Sequence, residues 1–228
     1  MQPTQKIERY EEAVQAVQEI GILPLSTLVP DYPSLESLTN IEDWHTETER
    51  DPWLWRARFP ADGVAAYGKF LKKKSILIAR ELVPAVKSII GHTGTMQQRY
   101  ADGLISSTAR NLSQLIGENP GIETRELRKL SGLSATEHKK AYDQAITELQ
   151  AHMDIVISGV KQRLNDNGDK NGWNSTSYET ADHWMSTNDI DPNPIDVHEA
   201  RRIVRERLQP RCNPDALRTF GKLFGFEA

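Results

Sequence analysis

Thr136, His138, Lys139, Lys140, Gln144 and Thr147 stand within one short stretch of the chain. Cationic side chains hold phosphates, a glutamine amide pairs with an adenine edge, and a threonine methyl packs on thymine. Such residues form a reading surface only if one element presents them on one side. The spacing predicts that element as a helix over 135–153. Ala141, Tyr142, Ala145, Ile146 and Leu149 recur at helical intervals and make its buried stripe. Lys139, Lys140, Asp143, Gln144, Thr147 and Glu148 are left on the outer arc. Ser134 with Glu137 predicts a capping box at its start. Lys161, Arg163 and Lys170 follow, where they can reach a flanking phosphate backbone. Asp143 and Glu148 oppose this chemistry, because each repels phosphate. Residues 122–163 carry seven basic and six acidic side chains and are nearly neutral.

Other chemistries find less support. The histidines at 45, 92, 138, 152, 183 and 198 include no ligand-spaced pair, and Cys212 is the single cysteine. No metal and no cofactor is therefore expected. Asn167-x-Asp169-x-Asn171-Gly172 resembles the opening of a calcium loop. Tyr178 stands where that loop needs a bidentate acid, so a solvated turn is expected instead.

The elements around the predicted helix have a recognisable order. An amphipathic helix over 102–116 buries Leu104, Ile105, Ala109, Leu112, Leu115 and Ile116. A short helix over 124–130 follows, with Thr124 as its cap and Leu127 and Leu130 inward. After the 135–153 helix come an alternating strand at 155–160, a polar turn at 165–172 and a second strand at 173–178. Helix, turn, helix and hairpin is the order of a winged helix-turn-helix.

The flanks are mainly helical. A helix is expected over 4–20, then a long irregular stretch over 23–60 interrupted by prolines and anchored by Trp44, Trp53 and Trp55. A helix or helix pair is expected over 61–73. Residues 75–90 fit either a helix kinked at Pro84 or a strand followed by a helix. A short helix within 178–185 and two terminal helices over 195–208 and 213–224 complete the reading. The fold class is mainly α (α+β), a winged helix-turn-helix unit with additional N-terminal and C-terminal helices. The expected organisation is an N-terminal segment over 1–98, the winged-helix unit over 99–185 and a C-terminal helix pair over 186–228.

The net charge of −4 opposes strong nonspecific binding to nucleic acid. The distribution is uneven, however. Residues 1–62 hold five Lys/Arg against twelve Asp/Glu, whereas 66–80 hold Lys69, Lys72, Lys73, Lys74 and Arg80 and no acid. Arginines also cluster over 201–211. These runs make either a basic face or ordinary solvated surfaces. No apolar run is long enough for a membrane span. Residues 1–6 lack the apolar core of a secretion signal, so a cytoplasmic location is expected.

Asp51-Pro52-Trp53-Leu54-Trp55-Arg56, Ala66-Tyr67-Gly68-Lys69-Phe70 and Thr147-Glu148-Leu149-Gln150-Ala151-His152 resemble a group of small bacterial proteins related to the winged-helix DNA glycosylases of the AlkZ/YcaQ type. The resemblance covers roughly 20–180. It implies a metal-free excision of alkylated or crosslinked bases by a Gln-x-Gln or Gln-x-Asp motif. Here Gln150 matches the first position, His152 replaces the second amide or carboxylate, and Asp154 lies two residues on. The resemblance therefore implies Gln150, His152 and Asp154 as candidate catalytic groups.

Three functions fit these residues. The first is a noncatalytic DNA-binding protein that uses Thr136, His138, Lys139, Lys140, Gln144, Thr147, Lys161, Arg163 and Lys170. The second is a glycosylase-like repair enzyme. The third is a protein-interaction scaffold, in which the acidic N-terminal segment and its tryptophans meet a protein partner. Oligomeric state is not legible in the sequence.

Overall fold

Helix α1, Tyr10–Ile20, starts six residues later than the expected helix over 4–20, because Glu12 reaches back to accept hydrogen bonds from the backbone N–H groups of Glu8 and Arg9. It ends at Gly21, whose φ of 87° suits glycine. Strand β1, Ile22–Pro24, leads to the short helix α2, Leu35–Leu38, capped by Ser34. The computed structural model describes residues 6–161 and 174–227.

The expectation of irregular structure up to Pro60 is corrected by helix α3, Pro52–Ala61. Its start is built from standard parts. Pro52 occupies the first turn, where a missing N–H costs nothing. The buried Asp51 carboxylate accepts from the backbone N–H groups of Trp53, His45 and Glu47, at 2.9, 3.0 and 3.0 Å. The tryptophans have separate fates. Trp55 is buried and donates to the Glu49 carbonyl, and Trp44 donates to Thr39 Oγ1. Trp53 stays 40% exposed beneath the Arg56 guanidinium, which lies 3.6 Å from its ring centroid.

The helix expected over 61–73 is also overturned. Strands β2, Ala65–Leu71, and β3, Lys74–Ala79, form an antiparallel hairpin, and β1 adds to β3 to give the sheet order β1-β3-β2. Lys72 and Lys73 both take left-handed backbone angles in the tight turn. The local pattern was helix-compatible, but pairing with β3 decides the matter. Helix α4, Val83–Ile90, follows, so the strand-then-helix alternative holds over 75–90 and Pro84 sits in a first turn rather than at a kink. Helix α5, Met96–Ala101, is an element the periodicity did not reveal.

The second sheet is assembled with helices on its flank. Helix α6, Ser107–Glu118, is capped by Ser106 and leaves Leu104 outside and exposed. Strand β4, Ile122–Glu123, runs into helix α7, Thr124–Leu130. Thr124 does not cap α7; its hydroxyl donates to the Thr176 carbonyl. Leu127 is buried as expected, whereas Leu130 points out. A 3-10 turn over Thr136–His138 precedes helix α8, Lys139–Ala151. The Ser134–Glu137 capping box does not form, and Ala141 is exposed rather than buried.

Strands β5, Ile155–Lys161, and β6, Ser175–Thr180, pair antiparallel, and β4 joins β6 to give the order β4-β6-β5. Arg163, Lys170 and the calcium-like 167–172 stretch lie outside the described residues. Helix α9, Ala181–Thr187, follows, with buried Trp184 donating to the Pro60 carbonyl at 2.8 Å. Helices α10, Val197–Leu208, and α11, Pro214–Phe224, end the fold, and α10 packs on α4. The class is α+β, with eleven helices and two three-stranded sheets among the described residues. One hydrophobic cluster runs from Tyr10 to Phe224, and both α3 and β2 pack on β5.

Candidate functional site

The inner face of α8 explains how its outer face is held. Tyr142, Ala145, Ile146, Leu149 and Gln150 are buried against α6, β2 and β5. Burial pushes the Tyr142 phenol well above its usual pKa, so it stays neutral. The opposite face lines an open groove of about 680 Å³. Thr136, Lys139, Lys140, Gln144 and Thr147 all line it, joined by Lys73 from the β2–β3 turn. The structure therefore brings together most of the residues selected for nucleic-acid chemistry. His138 does not line the groove; it is half-buried beside Glu137, at 3.8 Å. Lys161 is exposed at the end of β5.

The groove is nearly balanced in formal charge, since Glu137, Asp143 and Glu148 face Lys73, Lys139 and Lys140. The acids are not equally available. Glu148 accepts from both the backbone N–H and the hydroxyl of Ser106, at 2.9 and 2.7 Å, and so helps cap α6. Asp143 pairs with Lys139. Among the described residues, Lys69, Lys72, Lys73, Lys74, Lys140 and Lys161 have no carboxylate partner. Gln144 keeps its amide free of described partners, and Thr147 spends its hydroxyl on the Asp143 carbonyl. The groove thus offers unpaired ammonium groups, one free amide and a threonine methyl on a single side of the molecule.

The C-terminal arginines are used differently. Arg202 pairs with Glu199 and Glu206, and Arg211 with Glu19. Arg201 donates to the Phe224 carbonyl and Arg207 to the Gln18 carbonyl. Arg201, Arg207 and Arg211 tie this segment to α11 and α1, whereas Arg202 pairs within α10, so much of the basic run over 201–211 is engaged by other protein groups.

Gln150, His152 and Asp154 do not line the groove. Gln150 is 2% exposed; its Oε1 accepts from the Lys69 backbone N–H at 2.8 Å and its Nε2 donates to the Ile146 carbonyl at 3.3 Å. Asp154 is held by Arg99 through two hydrogen bonds. His152 Nδ1 lies 3.1 Å from the Ile90 carbonyl, which can only accept, so Nδ1 donates, and in the neutral ring Nε2 carries the lone pair. Its ring lies 4.0 Å from that of His92, centroid to centroid. Desolvation first, then His152 and Arg99, hold the His92 pKa below its usual value.

Lys73 is the basic groove residue absent from the sequence-based selection. The lysine run was visible, but a helical reading of 61–73 could not place it beside α8. Among the described residues, no cluster of three or more His, Cys, Asp or Glu side chains could hold a metal ion. No described helix is long and apolar enough to cross a membrane.

No curated protein and no solved structure matches the chain significantly. The family model described as AlkZ related matches residues 7–225, which extends the similarity through the C-terminal helices. With nearly the whole described fold inside that match, from α1 to α11, the chain belongs to the AlkZ-related family.

Proposed function

We propose that this chain is a noncatalytic winged-helix protein that binds duplex DNA through the outer face of α8. The observation that carries the reading is the groove along α8, where Lys73, Lys139, Lys140, Gln144 and Thr147 share one open surface. The order α6, β4, α7, α8, β5, β6, with sheet order β4-β6-β5, supports the winged-helix assignment within 99–185. In that arrangement α8 enters the major groove and Lys161 lies toward the flanking backbone. Arg163 and Lys170 are proposed to join it there. Membership of the AlkZ-related family supports a DNA partner. The engagement of Gln150 and Asp154 by neighbouring protein groups supports a noncatalytic role.

The test is fluorescence anisotropy of a labelled random-sequence duplex at low and near-physiological salt. The expected result is salt-dependent binding, weakened roughly tenfold by the Lys139→Ala/Lys140→Ala double variant, with a salt slope flatter by about 1–2. Unchanged affinity in the double variant would sink the reading. No binding at low salt would sink it too, and would favour a role in protein contact.

Family membership also favours a second reading, a glycosylase-like activity. His152 is its best-placed group, because the Ile90 carbonyl holds Nδ1 and leaves Nε2 without a described hydrogen-bond partner. Abasic sites formed in alkylated duplex by the wild type, and lost in His152→Ala, would establish it. Intact alkylated bases after prolonged incubation would dismiss it.

A further inference from the structure

The β2–β3 hairpin carries a fault in its pairing at the place where it meets α8. Gly68 pairs with Ile76 and Leu71 with Lys74, and the register shifts between them. β2 is the edge strand of its sheet, and the Lys69 N–H lies outside the β2–β3 pairing and faces α8. A backbone donor turned toward the protein interior needs a partner. Gln150 supplies it at 2.8 Å, and its own amide is anchored one turn back on α8 by the Ile146 carbonyl. The approach is close. A Cβ on Gly68 would stand 3.2 Å from Gln150 Oε1 and 2.7 Å from the Phe70 ring. The contact therefore joins the buried side of α8 to the strand that leads into the Lys72–Lys73 turn. At the far end of that strand Lys73 lines the α8 groove, and Lys72, Lys73 and Lys74 are exposed without carboxylate partners among the described residues.

We propose that Gln150 is a positioning residue that sets the lysine turn of the β2–β3 hairpin on the rim of the α8 groove, where Lys73 makes a second contact with the phosphate backbone of duplex DNA. The proposal rests on the reading of α8 as the DNA-binding face. It gives Gln150 a task unlike that of a water-orienting amide: its carbonyl oxygen is occupied by the hairpin. It also makes the lysine turn a phosphate clamp opposite α8. Phosphate contacts fix register without reading sequence, so the hairpin contributes affinity and salt dependence while α8 contributes selectivity.

The experiment is a double-mutant cycle between Gln150→Met and Lys73→Ala, read by anisotropy of the labelled random-sequence duplex at low salt. Amide exchange at Lys69 is measured by NMR in the same proteins. Methionine keeps the volume of Gln150 and removes its strong acceptor. The expected results are Lys69 exchange at least about fivefold faster in Gln150→Met, in line with one lost hydrogen bond. Lys73→Ala is expected to weaken binding roughly fivefold in the wild type and less than about twofold in the Gln150→Met background. Gln150→Glu retains the acceptor and is expected to keep both Lys69 protection and the Lys73 effect. Unchanged Lys69 exchange in Gln150→Met overturns the positioning contact. An equal Lys73 effect in both backgrounds overturns the link between hairpin and groove while leaving the α8 reading intact. Absence of wild-type binding overturns the DNA reading and the clamp together, and the Lys69 exchange then still reports separately on the contact.

Discussion

The Arg99 guanidinium grips both carboxylate oxygens of Asp154, at 2.6 and 2.9 Å, and so ties α5 to the entrance of β5. The two side chains are only 4% and 11% exposed. Two charges taken this far from water depend on one another, and removal of one leaves the other uncompensated.

Arg99→Met and Asp154→Asn are therefore each expected to destabilise the fold by about 3 kcal/mol or more. Replacing both with apolar residues of similar volume should recover much of that loss. Chemical denaturation of the three variants checks the expectation. Equal stability of Asp154→Asn and wild type would show that the pair is not structurally coupled. The same measurement guards any assay of Asp154 as a catalytic group, because loss of activity in an unfolded variant carries no information.

Asp143 shares the α8 groove with the lysines and pairs with Lys139. Asp143→Asn removes an anion from a surface proposed to meet phosphate and releases the ammonium beside it. With exposed pairs worth about 0.5–1 kcal/mol, duplex affinity should rise about two- to fivefold and the salt dependence should steepen. Titration at two salt concentrations is sufficient. A fall in affinity would place the phosphate away from this side of α8.

Gly68 lies where an added methyl meets the Phe70 ring and the Gln150 amide together. Phe70 is itself buried, so its ring has little room to yield. Gly68→Ala should cost about 1–3 kcal/mol by overpacking. A thermal melt checks this, and an unshifted midpoint would show that the hairpin relaxes freely away from α8.

The His92 ring lies 4.0 Å from that of His152, tilted by 42°, and its folded pKa is held low, first by desolvation and then by His152 and Arg99. The sign follows directly. Below the unfolded value of about 6.5, the unfolded chain binds the proton more readily than the folded one, so this contribution to stability is present above that pH and is lost as pH falls toward the folded pKa. The exchange of His92 for glutamine should flatten the stability profile in that window. NMR titration of the His92 ring should give a midpoint below 6.5. A midpoint above it would mean that Asp154 outweighs desolvation, His152 and Arg99.

Much of the architecture was already written in local residue patterns. Helix α7 and the first strand after α8 fall almost where periodicity placed them, because their apolar positions repeat with the period of the element. The outer arc of α8 was legible for the same reason: burying Tyr142, Ala145, Ile146 and Leu149 leaves Lys139, Lys140, Gln144 and Thr147 on the other side. Asp51 followed by Pro52 is a local signal for the start of α3 that the surrounding prolines obscured. Other features depended on distant partners. Residues 65–79 become a hairpin because β1 and β3 satisfy their backbone groups and bury their side chains, which no short window contains. The fate of Gln150 lay further away still. Its chemistry allows a water, a base edge or a backbone N–H, and only the packing of β2 on α8 selects the amide of Lys69, 81 residues earlier in the chain. Sequence by itself determined which side of α8 faces outward, because helical period is local. The tertiary structure alone decided what stands opposite that side, because strand pairing and the close approach at Gly68 are made between segments far apart in the chain.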